Sequence, residues 1–379
     1  MSRQIRLLAD QGIPLEKNRL PSAISLTRYD SAGGIPKTVD QYDALFVRTV
    51  SPVDKTTIPA HPVHLRFIGS ATAGVDHVDR EWLDENGIGF SYAPGCNGRA
   101  VGEYAGTAAV IWSLLTDNIL SGLTAGIVGA GSTGTAVAKQ FARLGISCKM
   151  HDPPREEREA GFKSVPVDDI LECDLLSFHT PLIKNGARPT YHWLNGQKLD
   201  NRRFRLIINA ARGGIINEQA LLQARQKGSV ENFILDVWEN EPLFNDTVAE
   251  NAFLTTPHIA GYSLQAKQRA SEMVTASLCS FFDLPSPREN VTAEAGEPVR
   301  PTAAGLQPDL LRTLTGLNPI GEYDREFKSM IGMAPEEKSR TFQKIRTGYP
   351  LRHEHSRYRL DPAVVLKYPV LKSLGFHSE

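Results

Sequence analysis

The chain of 379 residues is 41% hydrophobic and 22% charged, and its 42 Lys and Arg against 43 Asp and Glu leave a formal net charge of −1. That balance sets aside a nucleic-acid or membrane-surface protein. With no run of eighteen apolar residues and no apolar N-terminal signal core, a cytoplasmic protein of two or three domains is expected. The four cysteines, Cys96, Cys148, Cys173 and Cys279, include no C-x-x-C pair, which argues against a disulfide framework.

Residues 4–9 read as a first strand running into Asp10-Gln11-Gly12. Residues 42–50 repeat the style, an apolar strand ending in Arg48 and Thr49. Residues 65–69 lead into Thr72-Ala73-Gly74-Val75-Asp76, and residues 87–92 into Ala93-Pro94-Gly95-Cys96-Asn97. Short apolar strands with helical segments between them indicate a parallel α/β sheet, whose ligands lie at the carboxyl ends of its strands. Arg48 at such an end suggests an anion contact, and the small residues at 72–74 leave N–H groups able to cradle a carboxylate. A long helical pattern over residues 98–117 then leads into the next domain.

Residues 125–152 carry the strongest signal. A buried strand around Ile127 and Val128 is followed by Gly129, Gly131 and Gly134 in G-x-G-x-x-G spacing. A helical repeat of Ala136, Val137, Phe141 and Leu144 comes next, and a second strand ends at Asp152, eighteen residues past Gly134. Gly129 permits the tight turn, Gly131 the approach of a pyrophosphate, and Gly134 close packing of helix on strand. The helix N-terminus favours the phosphate charge. A carboxylate at position 152 suits ribose hydroxyls and repels a 2′-phosphate, so NAD is expected over NADP.

Further strands at residues 175–178, 206–209, 233–235 and 254–256 end in His179-Thr180-Pro181-Leu182, Ala210-Ala211-Arg212, 236–242 and Pro257-His258-Ile259-Ala260-Gly261-Tyr262. Arg212, Glu241 and His258 thus stand after successive strands. The three suit oxidation of an alcohol beside a carboxylate. Arginine binds the carboxylate, histidine takes the hydroxyl proton, and glutamate orients the imidazole and favours its protonated form. No metal-ligand spacing is present. A helix follows to about Phe282, then a Pro/Gly/Ala-rich stretch that reads as a linker, then a more basic tail over residues 306–379 whose small core suits packing on a partner subunit. A basic RNA-binding appendage is the sharper alternative for that tail.

The motifs at 129–134, 179–182, 209–213, 236–242 and 256–261 resemble those of the D-isomer-specific 2-hydroxyacid dehydrogenases, over about residues 40–280. The resemblance implies a Rossmann-type NAD domain, residues 97–259, inserted in a flavodoxin-like substrate domain, residues 1–96 and 260–285. The active site would lie in the cleft, and a small C-terminal α+β dimerisation domain over 286–379 would make a homodimer, with no nucleic-acid or membrane partner. It makes Arg212, Glu241 and His258 catalytic. It assigns NAD to Gly129, Gly131, Ser132, Thr133, Gly134, Asp152, Thr180, Ala210, Ala211, Asp236 and Gly261. It assigns the substrate to Thr49, Thr72 and Tyr262, to which the strand ends add Arg48, Ala73 and Gly74. Thr49 stands where a serine is usual, and Asp10-Gln11-Gly12 where Asp-Glu-Asn is common. Arg48, Thr49 and the long tail favour a phosphate-bearing four-carbon acid. The rivals are a sibling acting on 3-phosphoglycerate, glycerate or another D-2-hydroxyacid, and, from another class, an NAD-sensing interaction protein without turnover.

Overall fold

The computed structural model describes residues 4–17, 20–59, 62–285, 297–301 and 309–379. The stretch expected as a linker therefore lies mostly outside the described residues. Packing divides the chain into two compact units, Met1–Asn97 with Leu264–Glu297 and Gly98–Ser263 with Pro298–Glu379.

The first unit is built on strands β1 (Ile5–Asp10), β2 (Ile24–Tyr29), β3 (Ala44–Val47), β4 (Phe67–Ser70) and β5 (Gly89–Tyr92). All its pairings are parallel, in the order β2-β1-β3-β4-β5. That is the flavodoxin-like order, with its switch point between β1 and β3. β3 and β4 are buried along their whole length, as a sheet covered on both faces requires. Ala270, Val274, Leu278 and Cys279 of the helix Leu264–Phe281 complete one core with Leu7, Phe46 and Phe67. Trp82, Leu83 and Val39 fill the other face with Leu8, Leu45 and Ile68.

The second unit holds β6 (Thr124–Val128), β7 (Ser147–His151), β8 (Leu175–Phe178), β9 (Phe204–Asn209), β10 (Val230–Leu235) and β11 (Leu254–Thr255). They form one parallel sheet in the order β11-β10-β9-β8-β6-β7, so the switch point falls between β6 and β8. The helix Gly98–Thr116 packs on the helix Ser132–Arg143 over one face.

The tail differs from a separate third domain. Leu314, Leu317, Tyr358, Leu360 and Phe376 join the core on one side of the six-stranded sheet. Phe327, Met330 and Phe342 join the core on the other. The reason lies in its amphipathic helices, Leu310–Leu317, Ile320–Lys328 and Pro335–Gly348. Each has too little apolar surface to form a core of its own and buries its stripe against existing ones. The tail's own sheet is a pair of two-residue strands, β12 (Arg359–Leu360) and β13 (His377–Ser378). No described helix is long and apolar enough to cross a membrane.

Candidate active site

The glycine turn leaves β6 at the switch point. Gly129 has φ 88°, a backbone that glycine adopts without strain. A Cβ on Gly134 would stand 1.9 Å from the Gly129 carbonyl oxygen, so only glycine lets the helix Ser132–Arg143 start this close to its strand. A Cβ on Gly131 would meet nothing within 4 Å, and Gly131 caps the helix with no side-chain bond. The helix N-terminus therefore opens onto space, as phosphate recognition by amides requires.

Asp152 follows β7 and has two partners within the fold. The Ala130 amide donates to its Oδ2 at 2.9 Å and the Arg155 amide to its Oδ1 at 2.9 Å. The carboxylate thus ties the glycine turn to the helix Pro153–Arg158, and each oxygen keeps a lone pair for a ribose hydroxyl. Arg155 Nη1 donates to the Ala130 carbonyl at 2.7 Å.

At the end of β8, His179 Nε2 lies 2.8 Å from Ser177 Oγ, and burial pushes the imidazole pKa down to about 3, so the ring is neutral. Its Nδ1 and the Thr180 hydroxyl are buried with no hydrogen-bond partner among the described residues. Both flank Gly129, whose Cβ would stand 2.8 Å from Thr180 Cγ2. Orphaned polar atoms beside an open helix N-terminus fit a dinucleotide, whose polar groups would satisfy them.

The catalytic candidates follow β9, β10 and β11, three neighbours in the sheet. Asn209 shapes the first turn: its Nδ2 donates to the Arg212 carbonyl at 3.0 Å, and the Ala211 amide donates to its Oδ1 at 3.2 Å. A Cβ on Gly213 would stand 1.8 Å from the Trp238 carbonyl oxygen, which is why the arginine turn can pack directly on the turn after β10. Arg212 Nη1 donates to the Ala211 carbonyl at 2.7 Å.

Asp236, only 1% exposed, organises the histidine turn. Thr256 donates its hydroxyl to Asp236 Oδ1 at 2.6 Å. The Ile259 and Ala260 amides donate to Oδ1 and Oδ2 at 2.7 and 2.9 Å, and the His258 amide to the Asp236 carbonyl at 2.6 Å. Tyr104 lies 2.7 Å from the Thr256 hydroxyl and must be the donor, because that hydroxyl's proton is already given to Asp236. Burial pushes the Asp236 carboxyl up. His258 itself is left-handed, φ 60°, as is Asn240. A non-glycine residue there is strained, and the surrounding bonds hold it.

His258 Nδ1 lies 2.6 Å from Glu241 Oε1. A carboxylate accepts, so Nδ1 carries the proton and Nε2 is the nitrogen able to take one. Burial works against the Glu241 charge. The facing His258 charge and hydrogen bond outweigh it, helped by Arg346 and the Trp238 amide, and the carboxyl is held below the usual range. Close by, burial pushes Glu218 up to about 8, and its Oε1 accepts the Glu239 amide at 2.7 Å.

In the first unit, Arg48 Nε pairs with the fully buried Asp10 at 2.9 Å, and Arg48 Nη2 donates to Ser31 Oγ at 3.2 Å. A Cβ at Gly12 would stand 2.5 Å from the Arg48 guanidinium carbon, so the departure at residues 10–12 makes room for this pairing. Thr72 closes its own turn, donating to the Gly74 carbonyl at 2.7 Å. Thr49 is exposed. Tyr262, in the second unit, meets Tyr349 edge-on at 6.1 Å.

Residues 107–260 match the model of the D-isomer specific 2-hydroxyacid dehydrogenase, NAD binding domain. The chain is 35% identical over 363 residues to an erythronate-4-phosphate dehydrogenase of Marinobacter nauticus, covering 93% of this chain and 94% of the relative. It is 33% identical over 384 residues to that of Proteus mirabilis, covering 99% of each. Among solved structures, an NAD-dependent formate dehydrogenase from Staphylococcus aureus in complex with NAD shares the fold, with TM-score 0.56 and 21% identity over 74% of this chain and 96% of that one. The family model and the near full-length relatives show an NAD-dependent dehydrogenase of the 2-hydroxyacid class. Within that class, the chain belongs to the erythronate-4-phosphate dehydrogenase family.

Replacing Glu241 by glutamine keeps the size of the side chain and removes the charge facing the imidazole. The acid limb of the kcat/KM profile should then move to lower pH, because less free energy holds the proton on the ring. A pH-rate series on Glu241→Gln with an unmoved limb would take the glutamate out of the proton chemistry.

Proposed function

We propose that the enzyme oxidises 4-phospho-D-erythronate to 3-hydroxy-2-oxo-4-phosphooxybutanoate with NAD, a step of pyridoxal phosphate synthesis. The observation that carries this reading is the 2.6 Å Glu241–His258 pair at the carboxyl end of the nucleotide-binding sheet. The near full-length match to relatives of that name supports it. Arg212 holds the substrate carboxylate and polarises the C2 oxygen. His258 Nε2 takes the C2 hydroxyl proton while Glu241 keeps the ring in place and stabilises the imidazolium. NAD, when bound, supplies the acceptor for the hydride that leaves C2. Gly129, Gly131, Ser132, Thr133 and Gly134 would carry its pyrophosphate and Asp152 its ribose, with Thr180, Ala210, Ala211, Asp236 and Gly261 along its length.

The amides of Ala73 and Gly74 make no hydrogen bond to another described residue, which suits them to a substrate carboxylate. Arg48, Thr49, Thr72 and Tyr262 complete the substrate set in this reading. The same reading places the enzyme in the cytoplasm as a homodimer held through residues of the tail, where Leu366 stands 82% exposed.

NADH formation across a panel of D-2-hydroxyacids, with and without phosphate, tests the substrate. 4-Phosphoerythronate should give the highest kcat/KM, with NAD well above NADP. A higher value on 3-phosphoglycerate would assign the sibling activity, and no turnover on any acid would favour a sensor. For the dimer, Leu366→Glu should shift sedimentation toward the monomer; an unchanged oligomer would put the interface elsewhere.

A further inference from the structure

Lys338, Phe342 and Arg346 recur every four residues along the helix Pro335–Gly348 and so share one face. That face looks inward. Lys338 is buried and paired with Asp246, and Phe342 is buried edge-on against Phe327. Arg346 is the last of the three. Its Nε is shut off from solvent with no hydrogen-bond partner among the described residues, and no described carboxylate oxygen lies within ion-pair distance. Its charge nonetheless reaches Glu241 and helps hold that carboxyl low. Its neighbour Ile345 packs against the cluster that holds Ile259, next to His258. A guanidinium whose Nε makes no hydrogen bond therefore lies within electrostatic reach of the Glu241–His258 pair, on a segment outside the family-matched residues 107–260.

Leaving a buried donor unpaired is unfavourable, and such groups in native proteins call for a specific explanation. The substrate proposed above carries two anionic groups. Arg212 serves the carboxylate. Arg48, the arginine expected from the sequence to meet the second, also has an Nε without a hydrogen bond, but its charge is already opposed by Asp10 at 2.9 Å and its Nη2 donates to Ser31. An arginine fork suits the oxygens of a phosphate monoester.

We propose that Arg346 binds the phosphate of the substrate and sets the preference for a phosphorylated hydroxyacid; the assignment rests on the functional reading above.

Steady-state kinetics of the full-length Arg346→Gln and Arg346→Lys variants, on 4-phosphoerythronate and on erythronate, test it. Arg346→Gln should raise KM for the phosphorylated acid by about 10- to 100-fold, the range expected for losing charge-assisted hydrogen bonds. KM for erythronate should rise far less and kcat should fall much less than KM rises, with partial rescue in Arg346→Lys. Equal losses on both acids, or an unchanged KM with only a displaced pH profile, would overturn the proposal; the latter would make Arg346 a partner of Glu241 alone. Failure of the functional reading shows separately, as wild-type enzyme that does not turn over 4-phosphoerythronate. In that event calorimetric titration of the NAD-bound protein with inorganic phosphate decides. Binding by wild type that Arg346→Gln loses supports the site, and equal binding or none contradicts it.

Discussion

The carboxylate of Asp236 is the contact on which the geometry of the proposed catalytic turn depends. It accepts from the Thr256 hydroxyl and from the Ile259 and Ala260 amides, while its backbone carbonyl accepts from His258. Those bonds hold residue 258 in a left-handed backbone that a histidine does not adopt without cost, and they turn its imidazole toward Glu241. Burial of an aspartate is itself unfavourable, and the fold tolerates it because each oxygen finds a donor. The arrangement is therefore a preorganised one. The proposed base is thus in position before substrate arrives, and proton transfer needs it within hydrogen-bond reach.

The tail reinforces the same turn. The Thr255 amide donates to Asp324 Oδ1 at 2.8 Å, Ser263 donates to Glu354 Oε1 at 3.0 Å, and Tyr323 and Tyr349 pack with Ile259. Glu354 lies in a buried ionic group in which Arg352 Nη1 donates to Glu103 Oε2 at 2.6 Å. Burial there pushes Glu103 up to about 7 even against the arginine charge. Both ends of the histidine turn are thus anchored to residues far along the chain, which explains why the tail shares the nucleotide domain's cores rather than standing apart.

Much of this was legible in the sequence, because strand, glycine turn, helix and acid follow one another within thirty residues and each has a local signature. The strand ends bearing Arg212, Glu241 and His258 were legible for the same reason. The edge strand β2 was not: Ile24–Tyr29 alternates imperfectly, with Ser25, Thr27 and Arg28 between apolar ends. Its place came from pairing with β1, a non-local fact. Likewise Asp236 could be picked out as a polar strand end, but its three donors lie twenty or more residues on. Arg48 could be seen at the end of β3, but its capture by Asp10 depends on which strands are neighbours. Arg346 left no motif at all, because its meaning comes only from the helix face it shares with Phe342.

The measurement that bears most directly on this account is a comparison of kcat and NAD affinity in Asp236→Asn, which preserves volume but sets an amide against backbone donors. If the carboxylate acts by placing His258, kcat at saturating NAD should fall by at least about 10²-fold, the scale of losing a general base, over and above any weakening of NAD binding at a residue that the proposed reading also sets against the cofactor. A variant that keeps its turnover, or one whose only defect is weaker NAD binding, would contradict the claim that this buried carboxylate positions the base.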